Sequence, residues 1–393
     1  GAVTMSGQAE RHRLTARGIG GKIANTLRLA VKELRSIRAD PILVALILYT
    51  FTVAIYSVAT GAKTEAENMA IAVVDEDRSA LSRRLRDAFL PPLFKTPVEI
   101  GADEIDAAMD AGRFVFVLVI PPRFEADLLA GRNPELQVNV DATAMTQAGN
   151  GAVYAQNILT NEIIAFLQRR EGSAPLPVNV VVRAMFNPNL TSAWFTSVMQ
   201  VINNVTILTV ILTGAALIRE REHGTVEHLL VMPVTPVEIM LAKILANGLV
   251  IVVAASLSLI FVVEGLLAVP IAGSIPLFLA GALLYQFSVA ALGILIATFS
   301  TSMAQFGLLA IPVLIVLNLL SGSTTPMESM PEWLQYVMQL SPTTHFVAFS
   351  QAVLYRGAGI GIVMSQMLAL AAIGVVYFAV SLGRFRKAIF NAG

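Results

Sequence analysis

The chain contains no cysteine, which excludes disulfides, thiolate zinc sites and iron–sulfur clusters. It is also poor in charge. Only 14% of its 393 residues are Asp, Glu, Lys or Arg, against about 25% in an ordinary soluble domain. Hydrophobic residues make up 55%, and mean hydropathy is +0.70. The net charge is zero, so nothing global points to nucleic acid. No phosphate-binding loop is present. The nearest stretch, "GIGGKIA" at 18–24, has no Ser or Thr after its lysine and no strand before it. If ATP drives this protein, another chain must hydrolyse it. Histidines are few. His223 and His228 lie five residues apart, about 140° around a helix, so they share no face and make no metal pair. No catalytic and no metal-binding residue is expected.

What is present is a set of apolar runs, each long enough to cross a hydrocarbon core of about 30 Å as a helix. Six qualify: 42–60, 196–218, 243–263, 276–299, 304–322 and 362–382. Charged residues are almost absent inside them, and none occurs between Pro276 and Met327. An ion-driven carrier holds its ion on intramembrane ionisable groups, so a secondary carrier is disfavoured. The polar residues within the runs are amides: Asn203, Asn204, Asn247, Gln286, Asn318 and Gln366. Such groups more often hold helices together. Lys and Arg set the orientation. Eight lie in residues 1–40, and Arg384, Arg386 and Lys387 follow the last run. Both termini are therefore expected on the cytoplasmic side of the membrane.

The expected fold class is a polytopic α-helical membrane protein of six transmembrane helices with an inserted α/β extracytoplasmic domain. Residues 1–40 form a basic tail and an interfacial helix. Within 22–38, Ile23, Leu27, Val31, Leu34 and Ile37 line one face, and Lys22, Arg28, Lys32, Arg35 and Arg38 fill much of the rest. The first span covers 41–61. Residues 62–195 alternate strand-like and helix-like stretches. "MAIAVVDED" (69–77), "RFVFVLVIPP" (113–122), "ELQVNVDA" (135–142) and "LPVNVVVRAMF" (176–186) read as strands, and 152–170 as a long helix. Asp75, Glu76 and Asp77 read as acids capping a helix start rather than a metal site. Residues 196–393 carry the remaining spans.

Between the second and third runs stands "EREHGTVEHLLVMPVTPVEI", residues 220–239. Gly224 permits a sharp change of direction. Residues 225–232 suffice for two turns of helix, which Pro233 ends. Thr235, Pro236 and Glu238 then make a strong helix start. The reading is a short helix across the cytoplasmic surface, its apolar residues suited to a partner's groove. Glu220, Arg221, Glu222 and Glu227 are expected to form ion pairs on that groove's rim. A plain amphipathic connector would have the same spacing.

This segment resembles the coupling helix of ABC-2 exporter permeases, in which E-R-E-x-G-T-x-E-x-L and a following proline are characteristic. "FNPNLTS" (186–192), "SGSTTPMESMPEWLQ" (321–335) and "LSPTTHFV" (340–347) resemble further stretches of that family, as does the order of spans and large domain. The resemblance implies a permease subunit without its own ATPase site. It would pair as a homo- or heterodimer with P-loop ATPase subunits that bind ATP and Mg²⁺. A membrane-fusion protein and outer-membrane channel are further partners of such subunits. Coupling to the ATPase is assigned to Glu220, Arg221, Glu222, Gly224, Thr225, Glu227, Leu229 and Pro233. The segment 324–346 is expected to be external and re-entrant, with a gate at Pro326, Pro331, Trp333, Tyr336, Pro342 and His345. Phe195, Asn203, Phe287, Met303 and Phe306 are expected along the path of an amphipathic substrate, drug-like or lipid. A membrane-anchored receptor is the remaining alternative, which transport itself would separate.

Overall fold

The computed structural model describes residues 18–61, 67–141, 145–171, 191–224 and 233–390. The chain divides into two compact units, residues 63–192 and the remainder. Along the chain, helix α1 (Ile19–Ala39) leads directly into the first span, built of α2 (Pro41–Phe51) and α3 (Val53–Gly61). The separate unit follows: β1 (Ile71–Asp75), α4 (Ala80–Asp87), β2 (Val98–Glu99), α5 (Ile105–Asp110), β3 (Phe116–Ile120), α6 (Phe124–Leu129), β4 (Gln137–Val140) and α7 (Met145–Glu171). The helical unit resumes with α8 (Ser192–Glu222), α9 (Pro236–Ser258), α10 (Ile275–Thr298) and α11 (Met303–Leu319). It closes with α12 (Glu332–Met338), α13 (Pro342–Ser350) and α14 (Ile360–Phe390). Helices α9 and α13 run on into π-helical turns, Leu259–Leu266 and Gln351–Tyr355.

In the unit of residues 63–192 a four-stranded sheet has the order β2-β1-β3-β4. β1 is parallel to β2 and β3, and β4 is antiparallel to β3. Strand side chains alternate between faces, and here both faces are covered. Ile71, Val73, Phe116 and Leu118 pack with Leu81, Leu85 and Leu159 on one side. Ala72, Val74 and Val117 pack with Ala108 and Phe114 on the other. Two-sided burial is why 113–122 reads as a continuous apolar run. β2 was not expected, because two residues carry no periodicity. The strand expected at 176–186 lies outside the described residues. Asp75 and Asp77 bind backbone N–H groups, Asp77 that of Glu125 at the start of α6, but the cap of α4 is not an acid. Asp75 Oδ1 accepts from the backbone N–H groups of Asp77 and Arg78 at 3.1 and 2.8 Å, and Ser79 caps α4 by accepting from Ser82 N.

Among the described residues of the other unit, five helices are long and apolar enough to cross a membrane: Pro41–Gly61, Ser192–Glu222, Pro236–Leu266, Ile275–Thr298 and Ile360–Ala388. The sixth expected run corresponds to α11, only 17 residues, or about 25 Å of rise. Ser302 caps its start, and its end runs into a turn where Gly322 has a φ of +92°. Helix α8 is the most enclosed of the long helices, with 72% of its apolar window buried, against 17% for the last.

Local chemistry fixes several joints. Asp40 precedes a proline, which drives it to extended backbone and ends α1. Its Oδ1 then accepts from Ile42 N and Leu43 N, both at 3.1 Å, and caps α2. One residue thus closes the amphipathic helix and opens the first span. At Thr52 that span breaks, with φ −123° and ψ −82°. The carbonyls on the near side of the break accept from neighbouring helices: Thr50 O from Asn204 Nδ2 at 2.7 Å, and Phe51 O from Ser258 Oγ at 2.5 Å. In hydrocarbon such groups must be satisfied within the protein. Gln286 Nε2 likewise donates to Ile244 O at 3.0 Å. Asn204 and Gln286 therefore do hold helices together.

Candidate functional site

The last turn of α8 carries four consecutive charges, Arg219 to Glu222, and each turns to a different neighbour. Glu220 Oε1 accepts from Lys243 Nζ on α9 at 2.8 Å. The same ammonium donates to Glu33 Oε1 on α1 at 2.9 Å, and the Lys243 side chain is 3% exposed. Arg221 Nη1 donates to Ser300 O at 2.7 Å and to Ala297 O at 3.4 Å. These carbonyls end α10, where the helix dipole favours a cation. Glu222 Oε1 accepts from Met303 N at 3.0 Å, a carboxylate at the start of α11. Arg219 lies 3.7 Å from Asp40, the residue joining α1 and α2. Both partners of that pair are well exposed, so it contributes little. Arg384 of α14 stacks over Phe299, 4.0 Å from the ring centroid, beside the turn that Arg221 binds. One helical turn therefore binds the α1–α2 joint, α9, α10 and α11 directly, and is linked to α1 through Lys243.

Glu220, Arg221 and Glu222, expected on the rim of a partner's groove, also make bonds inside this chain. All three are engaged within the chain, because the ends of α10 and α11 and the buried Lys243 need counter-charges. Gly224 has φ +66°, the left-handed conformation that ends a helix and that glycine adopts without strain. Thr225, Glu227 and Leu229 lie outside the described residues. Pro233 is exposed, just ahead of α9. The start of α9 is as expected: Glu238 N donates to Thr235 Oγ1, Glu238 accepts from Thr235 N, and Pro236 stands in the first turn.

Lys243 and Glu33 were missed as site residues. The signal was present in the sequence. A lone cation in an apolar run must find an anion, and Glu220 and Glu33 belong to segments assigned to the same side. Spacing could not say which helix faces would meet.

Toward the opposite end of α8, a cavity of about 460 Å³ opens among Phe195, Pro326, Glu328, His345, Gln351 and Gln366, with neighbouring residues of α13. His345 Nε2 is 2.7 Å from Gln339 O. Tyr355 donates to Phe195 O at 2.7 Å, and the two rings lie 5.9 Å apart. Pro331 immediately precedes α12, and Pro342 is the buried first residue of α13. Trp333 and Tyr336 are 67% and 76% exposed and do not line the cavity. So of the six gate residues the structure brings Pro326 and His345 to one space, together with Phe195.

The remaining pathway residues are scattered. Phe306 is buried where α11 meets Gly214 of α8, so close that a Cβ on Gly214 would lie 2.1 Å from its ring. Phe287 stacks on Phe378 at 5.4 Å. Met303 sits at the Glu222 end of α8, and Asn203 is half-buried along that helix. Phe306 and Phe287 are packing residues, recruited by close helix approach rather than by a shared path.

Residues 41–382 match the pattern of the family described as "ABC-2 family transporter protein". Over 368 residues the chain is 52% identical to "Inner membrane transport permease YhhJ" of Escherichia coli (strain K12), covering 93% of this chain and 98% of that one. Two proteins of the same strain described as "Probable multidrug ABC transporter permease", YbhR and YbhS, are more distant. They are 28% and 26% identical, over 91% and 90% of this chain and 97% and 94% of theirs. A buried helical bundle with membrane-length spans, a family pattern over most of its length and full-length relatives agree: the chain belongs to the ABC-2 family of transporter proteins.

Proposed function

We propose that this chain is the permease subunit of an ABC exporter in a bacterial inner membrane, with six spans, α11 counted among them. Both termini and the Glu222 end of α8 face the cytoplasm, and residues 62–195 lie outside. ATP and Mg²⁺ are bound by a separate P-loop subunit, and a second permease copy completes the pore. The relatives' descriptions favour a drug-like amphipathic substrate. Force from the ATPase enters at 225–232 and is passed on at Arg219–Gly224. The observation that carries this reading is the turn itself. Its side chains bind four neighbouring segments immediately before the segment that resembles the coupling helix. A push there cannot be absorbed by α8 alone. The external cavity around His345 is then the far end of the stroke. The test is a mild detergent pull-down from native membranes with mass spectrometry of bound chains and an ATPase assay. A stoichiometric P-loop ATPase whose substrate-stimulated rate falls on Gly224→Val supports the reading. Its absence, or a stimulated rate indifferent to that change, overturns it.

A further inference from the structure

Where the start of α1 lies along α9, a groove of about 530 Å³ opens. Its two cations come from opposite ends of the chain. Lys22 sits on the first turn of α1 and Arg386 on the last turns of α14. Both are exposed, and neither has an ion-pair partner among the described residues. The one acid lining the groove, Glu238, is 5% exposed and is folded back onto Thr235 N and Oγ1. It is committed to the capping box. Apart from Thr26 and Thr235, the rest of the wall is apolar. Ile19, Ile23, Leu27 and Leu245 are 80%, 55%, 55% and 50% exposed. Ile19, Ile23 and Leu27 lie on α1 outside its contact with α9, which Leu29, Ala30 and Leu34 make with Ala242 and Ala246, and Leu245 is on α9 itself.

Two unpaired cations above exposed aliphatic surface match one chemistry: a negatively charged headgroup with an acyl chain below it. We infer that this groove holds an anionic phospholipid, with Lys22 and Arg386 on the phosphate and Ile23, Leu27 and Leu245 along the chain. The inference rests on the membrane placement proposed above and not on the ATPase. A lipid so placed bridges the two terminal segments of the chain. It seats α1, whose Glu33 reaches Lys243, against the membrane surface.

The test is native mass spectrometry of the delipidated full-length protein, titrated with phosphatidylglycerol or with phosphatidylcholine. Two double variants are compared. Lys22→Gln with Arg386→Gln removes the groove's charges, and Arg28→Gln with Lys32→Gln removes two exposed cations of the same helix that do not line it. Wild type is expected to bind one phosphatidylglycerol more tightly than phosphatidylcholine. The groove variant should lose that preference by about tenfold, and the helix variant should change by less than about twofold. Equal losses in both variants, or none in the groove variant, would overturn the site. A protein that stays monodisperse without detergent would instead overturn the membrane placement, which keeps the two failures apart.

Discussion

The two ends of α8 are built on opposite plans. At Glu222, four consecutive charged side chains engage neighbouring segments, and the one buried ammonium has two carboxylates. Toward Ser192 the helix meets a cavity of about 460 Å³ lined by Phe195, amides and a histidine. One end resists displacement, because moving it would strip Lys243, held out of water, of its carboxylate partners. The other has room to change shape. A helix tied down at one end and loosely bounded at the other is suited to receive force where it is tied and open where it is not.

The largest effect should come from breaking the tied end at its most buried point. Lys243→Met leaves Glu33 and Glu220 facing each other without a cation. Removing one member of a buried pair costs about 3–5 kcal/mol. The two carboxylates are each 18% exposed, which moves the expectation to the lower part of that range. Thermal unfolding in detergent should show a clear drop, and adding Glu33→Gln with Glu220→Gln should restore much of it. No drop would mean the triad is not a structural tie. Next in size is Gly224→Val. A β-branched side chain at a φ of +66° costs about 1–2 kcal/mol. Nothing lies within 4 Å of the Cβ position, so the bundle should still assemble while transport in vesicles fails. Retained transport would separate the turn's geometry from coupling. Asp40→Ala removes the cap shared by Ile42 N and Leu43 N and should cost about 1 kcal/mol, read as a small shift in the same melting curve. An unchanged curve would show that the α1–α2 joint is held by other contacts. Smallest should be Tyr355→Phe at the open end, which removes one hydrogen bond to Phe195 O, a matter of about 0.5–1.5 kcal/mol. If it equals the Lys243 effect, the contrast between the two ends is wrong.

Much of this was legible beforehand, and for identifiable reasons. A span is encoded by composition alone, so the long runs were readable without knowing their neighbours. The capping box at Thr235–Glu238 and the left-handed Gly224 are local in sequence, and both stand where expected. Gly131, with φ +71°, ends α6 in the same way. The substrate-path residues were chosen by residue type. Type could not tell that Phe306 fills the space left by Gly214, a contact between residues almost a hundred positions apart. The charges of 220–222 were read as a surface feature because charge near a span end is ordinarily solvated.

By itself the sequence determined the apolar spans, the turn at Gly224, the start of α9 and the strands at β1 and β3. Each depends on residues within a turn or two of one another, where composition, backbone preference and periodicity act directly. Only the tertiary structure decided that Glu33, Glu220 and Lys243 form one cluster. Only it showed that Arg221 and Glu222 serve the ends of α10 and α11, and that His345 and Phe195 share a cavity. Which faces of uniformly apolar helices meet is set by close packing of small and large side chains across the bundle, and no local pattern records it.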